Sequence, residues 1–350
     1  SYFIKKNTGS CWYSGVKAIT GALTEVDFGY YLKRGGYLLF AGSFTNQLAS
    51  TSADLFFICS SEGEIQFFQG SYPGDTATPW AMVARFVIGR PLGYGAFVHV
   101  DNDIWVITEQ GIVPVSLLFS GGPTVALNSI SRKINSFVSR YSKTMGVSHR
   151  WRGLHWAQGR RVYISVPVSS SNSKLLVCNT DTGAWTIYEY TTSGTVLSMA
   201  TLAGIPYFGA ADGNVRRAEQ NLNDDGVAIP IRARLPFNFF GTRGNFKAFK
   251  DIRPLMYTLA GVTLQISIDT DFKQSAASGS VTTTSGTSGG LWDDSDWDTT
   301  DWGDEAEYYY GRYSIKGQGH SGAIRIQGSV KDVPLEFSAF ELRFEVGAQV

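Results

Sequence analysis

A period of two recurs along this chain and constrains its fold more than any other feature. Leu55-Phe56-Phe57-Ile58 and Ile65-Gln66-Phe67-Phe68 flank Ser61-Glu62-Gly63. Residues 96–100, 104–108 and 112–117 form a second apolar series, turned at Asp101-Asn102-Asp103 and Glu109-Gln110-Gly111. Residues 161–168, 174–179 and 184–190 form a third, and 196–202, 205–210 and 213–218 a fourth. Glycine follows polar residues at each of several turns (Gly63, Gly111, Gly183, Gly213), where a hairpin needs a positive φ. Period-two alternation predicts strands with one buried face each.

The recurring unit is therefore a meander of three or four strands. Spacing between the turn glycines is irregular, so a strict repeat is absent, but a degenerate array of blades fits. Radial packing buries the apolar face of each meander and leaves few open edges. The expected fold class is all-β, a β-propeller-like array over residues 1–230, with a two-sheet sandwich as the rival architecture. A polar turn cluster at 221–226 reads as a linker. Residues 231–350 then read as a smaller C-terminal β-sheet domain, with strands at 230–240, 251–258, 262–268, 312–316, 322–327 and 335–346. Its Ser/Thr/Gly-rich stretch, 274–290, predicts a flexible insertion loop running to about 306. One helix is predicted over 129–145, where Ile130, Ile134, Phe137, Val138 and Tyr141 share a face and Ser129 or Ser131 can cap the start.

Composition narrows the function. Charged residues make up 17% of the chain, below the usual quarter or so, and aromatics 14%. Strands, tight turns and contact surfaces all use that balance. The net charge is zero, which offers no general attraction to nucleic acid. Cys11, Cys59 and Cys178 have no paired spacing and read as buried thiols rather than as a disulfide or zinc framework. No apolar run approaches the roughly 20 residues of a membrane helix, so membrane insertion is not expected. Residues 1–6 do not read as a signal peptide, and the chain is expected to begin inside a longer or processed product.

No pattern of common catalysis stands out. His99, His149, His155 and His320 make no metal-ligand spacing, and His99 reads as structural. Phosphate-loop, nucleophile-elbow and zinc-helix motifs are missing. No catalytic residue, metal or cofactor is expected. The turn Asn179-Thr180-Asp181-Thr182-Gly183-Ala184-Trp185 is similar to the aspartate-box turn of sialidase propellers and to the kelch turn. In that reading Asp181 accepts turn amides, Gly183 takes the positive φ and Trp185 packs between blades. Such turns support a fold and do not catalyse.

Trp292, Trp297 and Trp302 recur every five residues within an acidic run, eight carboxylates lying between Asp293 and Glu307. Calcium ligation is conceivable there. The run carries no EF-hand register, so a solvated or partner-docking loop is the better reading. Basic residues gather elsewhere. Arg216, Arg217, Arg232, Arg234, Arg243 and Lys247 form one group, interleaved with phenylalanines. Arg150 and Arg152 belong to a second. These are candidates for a DNA-facing channel or a subunit interface.

The order of motifs over 60–345 carries a resemblance. Glu62-Gly63 leads to Tyr72-Pro73 and Trp80, then Ile88-Gly89-Arg90-Pro91-Leu92-Gly93. Thr108-Glu109-Gln110-Gly111-Ile112-Val113-Pro114-Val115-Ser116 follows, and Gly317-Gln318-Gly319 lies near the end. This order resembles the nozzle, hub and DNA-stabilisation proteins of short-tailed bacteriophages. The resemblance implies a non-enzymatic virion tail protein in a ring, often of six copies, around the DNA conduit. It implies a portal-adaptor ring, tail fibres or a distal tip, and passing double-stranded DNA as partners, with roles in genome retention and DNA ejection. The rival is a propeller glycan-binding module or glycosidase. That reading calls for several aspartate boxes and an inward cluster of Arg with Glu or Tyr.

Overall fold

The computed structural model describes residues 1–15, 18, 20–46, 53–75, 80–120, 129–147, 150–189, 196–258, 261–275, 279–283 and 307–349. Strands dominate and helices are few. The chain divides into two units, Ser1–Glu219 and Gln220–Val350. The expected boundary at 230/231 falls inside the strand Ile229–Arg234 of the second unit.

The first unit is five antiparallel meanders in chain order. The first sheet holds β1 (Tyr2–Ile4), β2 (Ser10–Tyr13) and β3 (Thr24–Asp27). The second holds β4 (Leu38–Asn46), β5 (Ala53–Ser60), β6 (Glu64–Gln69) and β7 (Ala81–Val87). The third is β8 (Phe97–Val100), β9 (Asp103–Thr108) and β10 (Gly111–Pro114). The fourth is β11 (Arg152–Trp156), β12 (Arg161–Pro167), β13 (Ser173–Asn179) and β14 (Trp185–Tyr188). The fifth is β15 (Val196–Leu202), β16 (Ile205–Ala210) and β17 (Val215–Arg217).

Each sheet packs on the next one in sequence. Leu38, Ile58 and Phe68 of the second sheet meet Cys11 and Phe28. Its other face, with Leu55, Phe57, Ile65 and Phe67, meets Ile104, Val106 and Val113 of the third sheet. Val98, Ile107 and Ile112 on the far face of the third meet Val162, Ile164 and Leu176 of the fourth. Tyr163, Leu175 and Val177 then turn to Val196 and Phe208 of the fifth. Alternation thus sends odd and even residues of one strand to different neighbours. This corrects the expectation of a single buried face: the strands of the middle sheets are buried on both sides. Apolar runs such as 55–58 are the sequence signature of that double burial. Each fully buried side chain of this size contributes roughly 1.5–3 kcal/mol.

Two short helices lie among the described residues of this unit. Helix α1 (Ser116–Ser120) replaces the end of the strand expected to reach 117. It starts there because Asp103 accepts the Ser116 amide and hydroxyl, at 2.9 and 2.6 Å. Helix α2 (Asn135–Met145) starts later than expected, after a 3-10 turn at Arg132–Ile134. Ser131 does not cap it. Its hydroxyl accepts the Ile112 amide at 2.8 Å, tying the helix approach to β10. Among the described residues no helix is long and apolar enough to cross a membrane.

The second unit is a pair of four-stranded sheets. One runs β18 (Ile229–Arg234), β24 (Gly322–Val330), β20 (Thr263–Thr270), β21 (Gly279–Thr282). The other centres on β19 (Asn245–Thr258), with β22 (Glu307–Tyr309) and β23 (Tyr313–Gly319) along one edge and β25 (Leu335–Gln349) along the other. Leu264, Ile266, Ile268, Ile324 and Ile326 of the first sheet enclose a core with Phe249, Ile252, Met256 and Ile315 of the second. β21 corrects the reading of 274–290 as loop throughout: Val281 is buried and pairs with Leu264. The rest of the expected loop near 284–306, with the tryptophan-rich acidic run, lies outside the described residues, as does His149.

Two turn glycines separate backbone strain from steric clash. Gly63 has φ +77°, and a Cβ there would lie 2.4 Å from the Ile88 carbonyl oxygen. Gly183 has φ +63° with open space around it. Gly183→Ala is expected to cost about 1–2 kcal/mol from the left-handed backbone alone. Gly63→Ala adds the clash and is expected to cost about 2–4 kcal/mol. Urea denaturation of the two variants beside the wild type checks the difference.

Candidate functional site

Arginines gather on the outer face of the β18–β24–β20 sheet, opposite its core side. In β18 the order Ile231-Arg232-Ala233-Arg234 sends both arginines outward while Ile231 packs on the core. Ile324-Arg325-Ile326 does the same in β24. Strand register places Arg234, Arg325 and Ser267 in one row, and Arg232, Gln327 and Gln265 in the next.

One carboxylate anchors this face. Asp269 is fully buried, and its Oδ1 lies 3.2 Å from Arg325 Nε and accepts the Ser275 amide at 2.9 Å. Its Oδ2 lies 3.9 Å from Arg234 Nη1. Arg325 is held almost out of solvent, whereas the Arg234 side chain is 54% exposed and Arg232 is exposed. Arg234 also lies 5.8 Å over the Phe237 ring. Two guanidiniums beside one carboxylate, with the exposed Arg232 in the next row, give this face an excess of outward arginines, suited to phosphates or to acidic side chains.

The other sequence candidates are dispersed. Lys247 is fully buried, which corrects its assignment to a channel or subunit surface. Its Nζ donates to the carbonyls of Thr242, Asn245 and His320 at 2.5, 3.0 and 3.1 Å, so all three protons are used inside the protein. Arg243 lies 5.2 Å over the Phe239 ring. Arg216 closes its own turn, reaching both Asp212 oxygens at 3.2 and 2.7 Å. That pairing holds the Asp212 carboxyl well below the usual range. Arg217 ends β17 opposite Tyr207. Arg150 donates to the Ser169 carbonyl at 3.2 Å, and Arg152 opens β11.

The turn at 179–185 differs in detail from the aspartate-box reading. Asn179, not Asp181, accepts the turn amides, from Asp181 at 2.9 Å and Thr182 at 3.0 Å. Asp181 instead takes Arg160 at 2.6 Å. Trp185 packs against the core between the third and fourth sheets.

An Arg–Glu–Tyr cluster does occur in the first unit. Glu219 accepts from Arg161 and, at 2.8 Å, from the Tyr163 hydroxyl. Tyr163 is fully buried, and burial and then the Glu219 charge push its phenol far above the ordinary range. A nucleophilic tyrosine needs access and the opposite shift, so this cluster is a clamp on the last residues of the unit. The charge pair missed in sequence, Arg325 with Asp269, is legible in hindsight: both residues alternate with isoleucines.

A second buried carboxylate, Glu64, lies 2.8 Å from Arg85 and accepts the Arg34 amide at 2.9 Å and Gln66 Nε2 at 2.7 Å. Burial alone would raise its carboxyl; the Arg34 amide, Gln66, the Lys33 amide and Arg85 outweigh this and lower it. Its contribution to stability is therefore present above the unfolded value and lost as pH falls through the lower folded one. Glu64→Gln is expected to destabilise the protein at neutral pH and to flatten the loss of stability as pH falls through the carboxylate range, read from denaturation midpoints. Lys247→Met orphans three carbonyls and is expected to cost at least about 1–3 kcal/mol, against near zero for Lys250→Met at the surface. No protein-family model matches this chain and no curated protein matches it, so its functional reading rests on its own residues.

Proposed function

We propose that this chain is a structural subunit of a short-tailed bacteriophage tail, of nozzle or hub type. In this reading the first unit is a propeller-like array whose five meanders act as blades. Copies form a ring, of six chains by the resemblance, around the DNA conduit. The ring retains the packaged genome and docks the adaptor above and the fibres or tip below.

The observation that carries the reading is the ordered succession of sheets in the first unit, each packed on the next. The motifs from Glu62 to Ser116 fall on the second and third sheets, their turns and connections, and Gly317-Gln318-Gly319 ends β23 of the second unit. The outward arginines 232 and 234 are the residues assigned to DNA phosphate, because they stand on a rigid strand with solvent before them. An array of sheets buried on both faces suits a conduit wall, which must resist packaged DNA and needs no chemistry.

A glycan-binding module is the second reading. It is favoured by a row of tyrosines, Tyr2 and Tyr13 of the first sheet and Tyr72 after β6, with ring centroids 6.2 and 6.4 Å apart.

Immunogold labelling of virions with an antibody to this chain discriminates the two. Gold at the tail is the expected result. Label confined to soluble or envelope fractions, with glycan retention, would overturn the tail reading. The DNA assignment is checked separately. Arg232→Glu with Arg234→Glu should weaken duplex binding and flatten its log–log salt slope by about 0.9 for each phosphate that is no longer neutralised.

A further inference from the structure

β25 is a fifteen-residue strand and, among the described residues, pairs only with β19. Among the described residues its opposite edge meets no strand, and proteins normally cover or blunt such an edge. The ladder to β19 skips Ser338 and Gly347–Ala348, so bulges blunt both ends. Between them, Ala339–Val346 runs without a break in β25. Along that run Phe340, Leu342 and Phe344 are half-buried against the core. Glu341 and Arg343 point to the outer face, with side chains 63% and 66% exposed.

This sequence is complementary to itself. An antiparallel pair about a two-fold axis through Leu342 sets residues equally far before and after it opposite one another. Glu341 then faces Arg343 of the second copy, and Arg343 faces its Glu341. Phe340 faces Phe344 in the same way, and Leu342 faces itself. Each pair is of a kind that stabilises a sheet. Moving the axis by one residue opposes Glu341 to Glu341, or Arg343 to Arg343. Moving it by two brings Ser338 or Gly347 into the paired segment. One register therefore satisfies charge, apolar match and backbone continuity together, and its axis passes through the middle residue of the strand.

We propose that two copies of the free chain pair through the β25 edge, in the register centred on Leu342, to form a two-fold dimer. Both second-unit sheets centred on β19 become one continuous sheet, with the two cores on the same side. Glu341 already lies 3.3 Å from Arg253, and Arg343 lies 2.5 Å from Asp251. The pair extends a charge network that exists in each chain. A dyad contact closes on two chains, so it seals the edge of the free subunit and is distinct from the rotational contacts of a ring. The inference goes beyond the tail reading and does not rest on it.

Cysteine cross-linking of the full chain tests the register. The native thiols Cys11, Cys59 and Cys178 are buried and do not compete. Directly opposed residues of an antiparallel pair place Cα atoms about 4.5–5.5 Å apart, inside the roughly 4.4–6.8 Å that a disulfide spans. Leu342→Cys should form a disulfide dimer under mild oxidation, and Glu341→Cys, which faces Arg343 rather than itself, should not. Sedimentation equilibrium of the unsubstituted chain gives a second reading that needs no variant, with the dimer mass expected. A monomer mass across the accessible concentrations would overturn the proposal. So would a dimer linked through Glu341→Cys but not through Leu342→Cys.

Discussion

Burial of a strand on both faces is the constraint on which the first unit depends. A strand such as β12 carries Val162, Ile164 and Val166 on one side and Tyr163 on the other, all fully buried. No single neighbour can cover both sides. A second sheet must lie on one face and a third on the other, and the demand passes along the chain until a sheet with a polar face ends it. The first and fifth sheets serve as those ends. Thr24-Glu25-Val26-Asp27 and Val215-Arg216-Arg217 leave most of their side chains in or near solvent. The stack follows from where apolar residues sit within each strand, and sequence-adjacent meanders meet as consecutive elements usually do, even the third and fourth, whose connection runs through α1 and α2.

That logic explains which parts of the fold were legible. Strands β8 to β10 and β12 to β17 announce themselves through apolar runs and turn glycines, because double burial and tight hairpins both leave marks in sequence. β21 leaves none. Of its described side chains Val281 is buried and Thr282 exposed, and a backbone ladder joins the strand to β20. A strand held by hydrogen bonds to a neighbour already in place needs little pattern of its own. The helix boundary was missed for a related reason. Ser131 is an ordinary capping residue by type, and only the nearness of β10 diverts its hydroxyl to the Ile112 amide.

Charged residues followed a different rule. Clustering in sequence grouped Lys247 with Arg232 and Arg234, yet one is a buried post among carbonyls and the others stand outside. Strand parity separates them. Arg232 and Arg234 alternate with Ile231 and Ala233 on a strand whose inner face is fixed by the core. Lys247 sits where β19 approaches a bulge, and a bulge cancels the parity rule. Asn179 and Asp181 show the same limit at a turn. Two polar side chains within three residues compete for the same amides, and Asp181 is drawn instead to Arg160, whose position depends on a separate turn.

The second unit carries its polarity on its outer faces. Each sheet has one apolar side and one side where arginines meet a buried carboxylate: Arg325 and Arg234 at Asp269, Arg312 and Arg343 at Asp251. Asp251 is 8% exposed at its side chain and Asp269 not at all. A buried carboxylate is costly unless paired, and removing its partner leaves the cost uncompensated. These aspartates therefore fix the rotamers of the arginines around them more than they add stability. Arginines fixed in this way meet a partner with less side-chain entropy still to lose. The buried aspartates are thus the positioning element for the guanidiniums on each outer face.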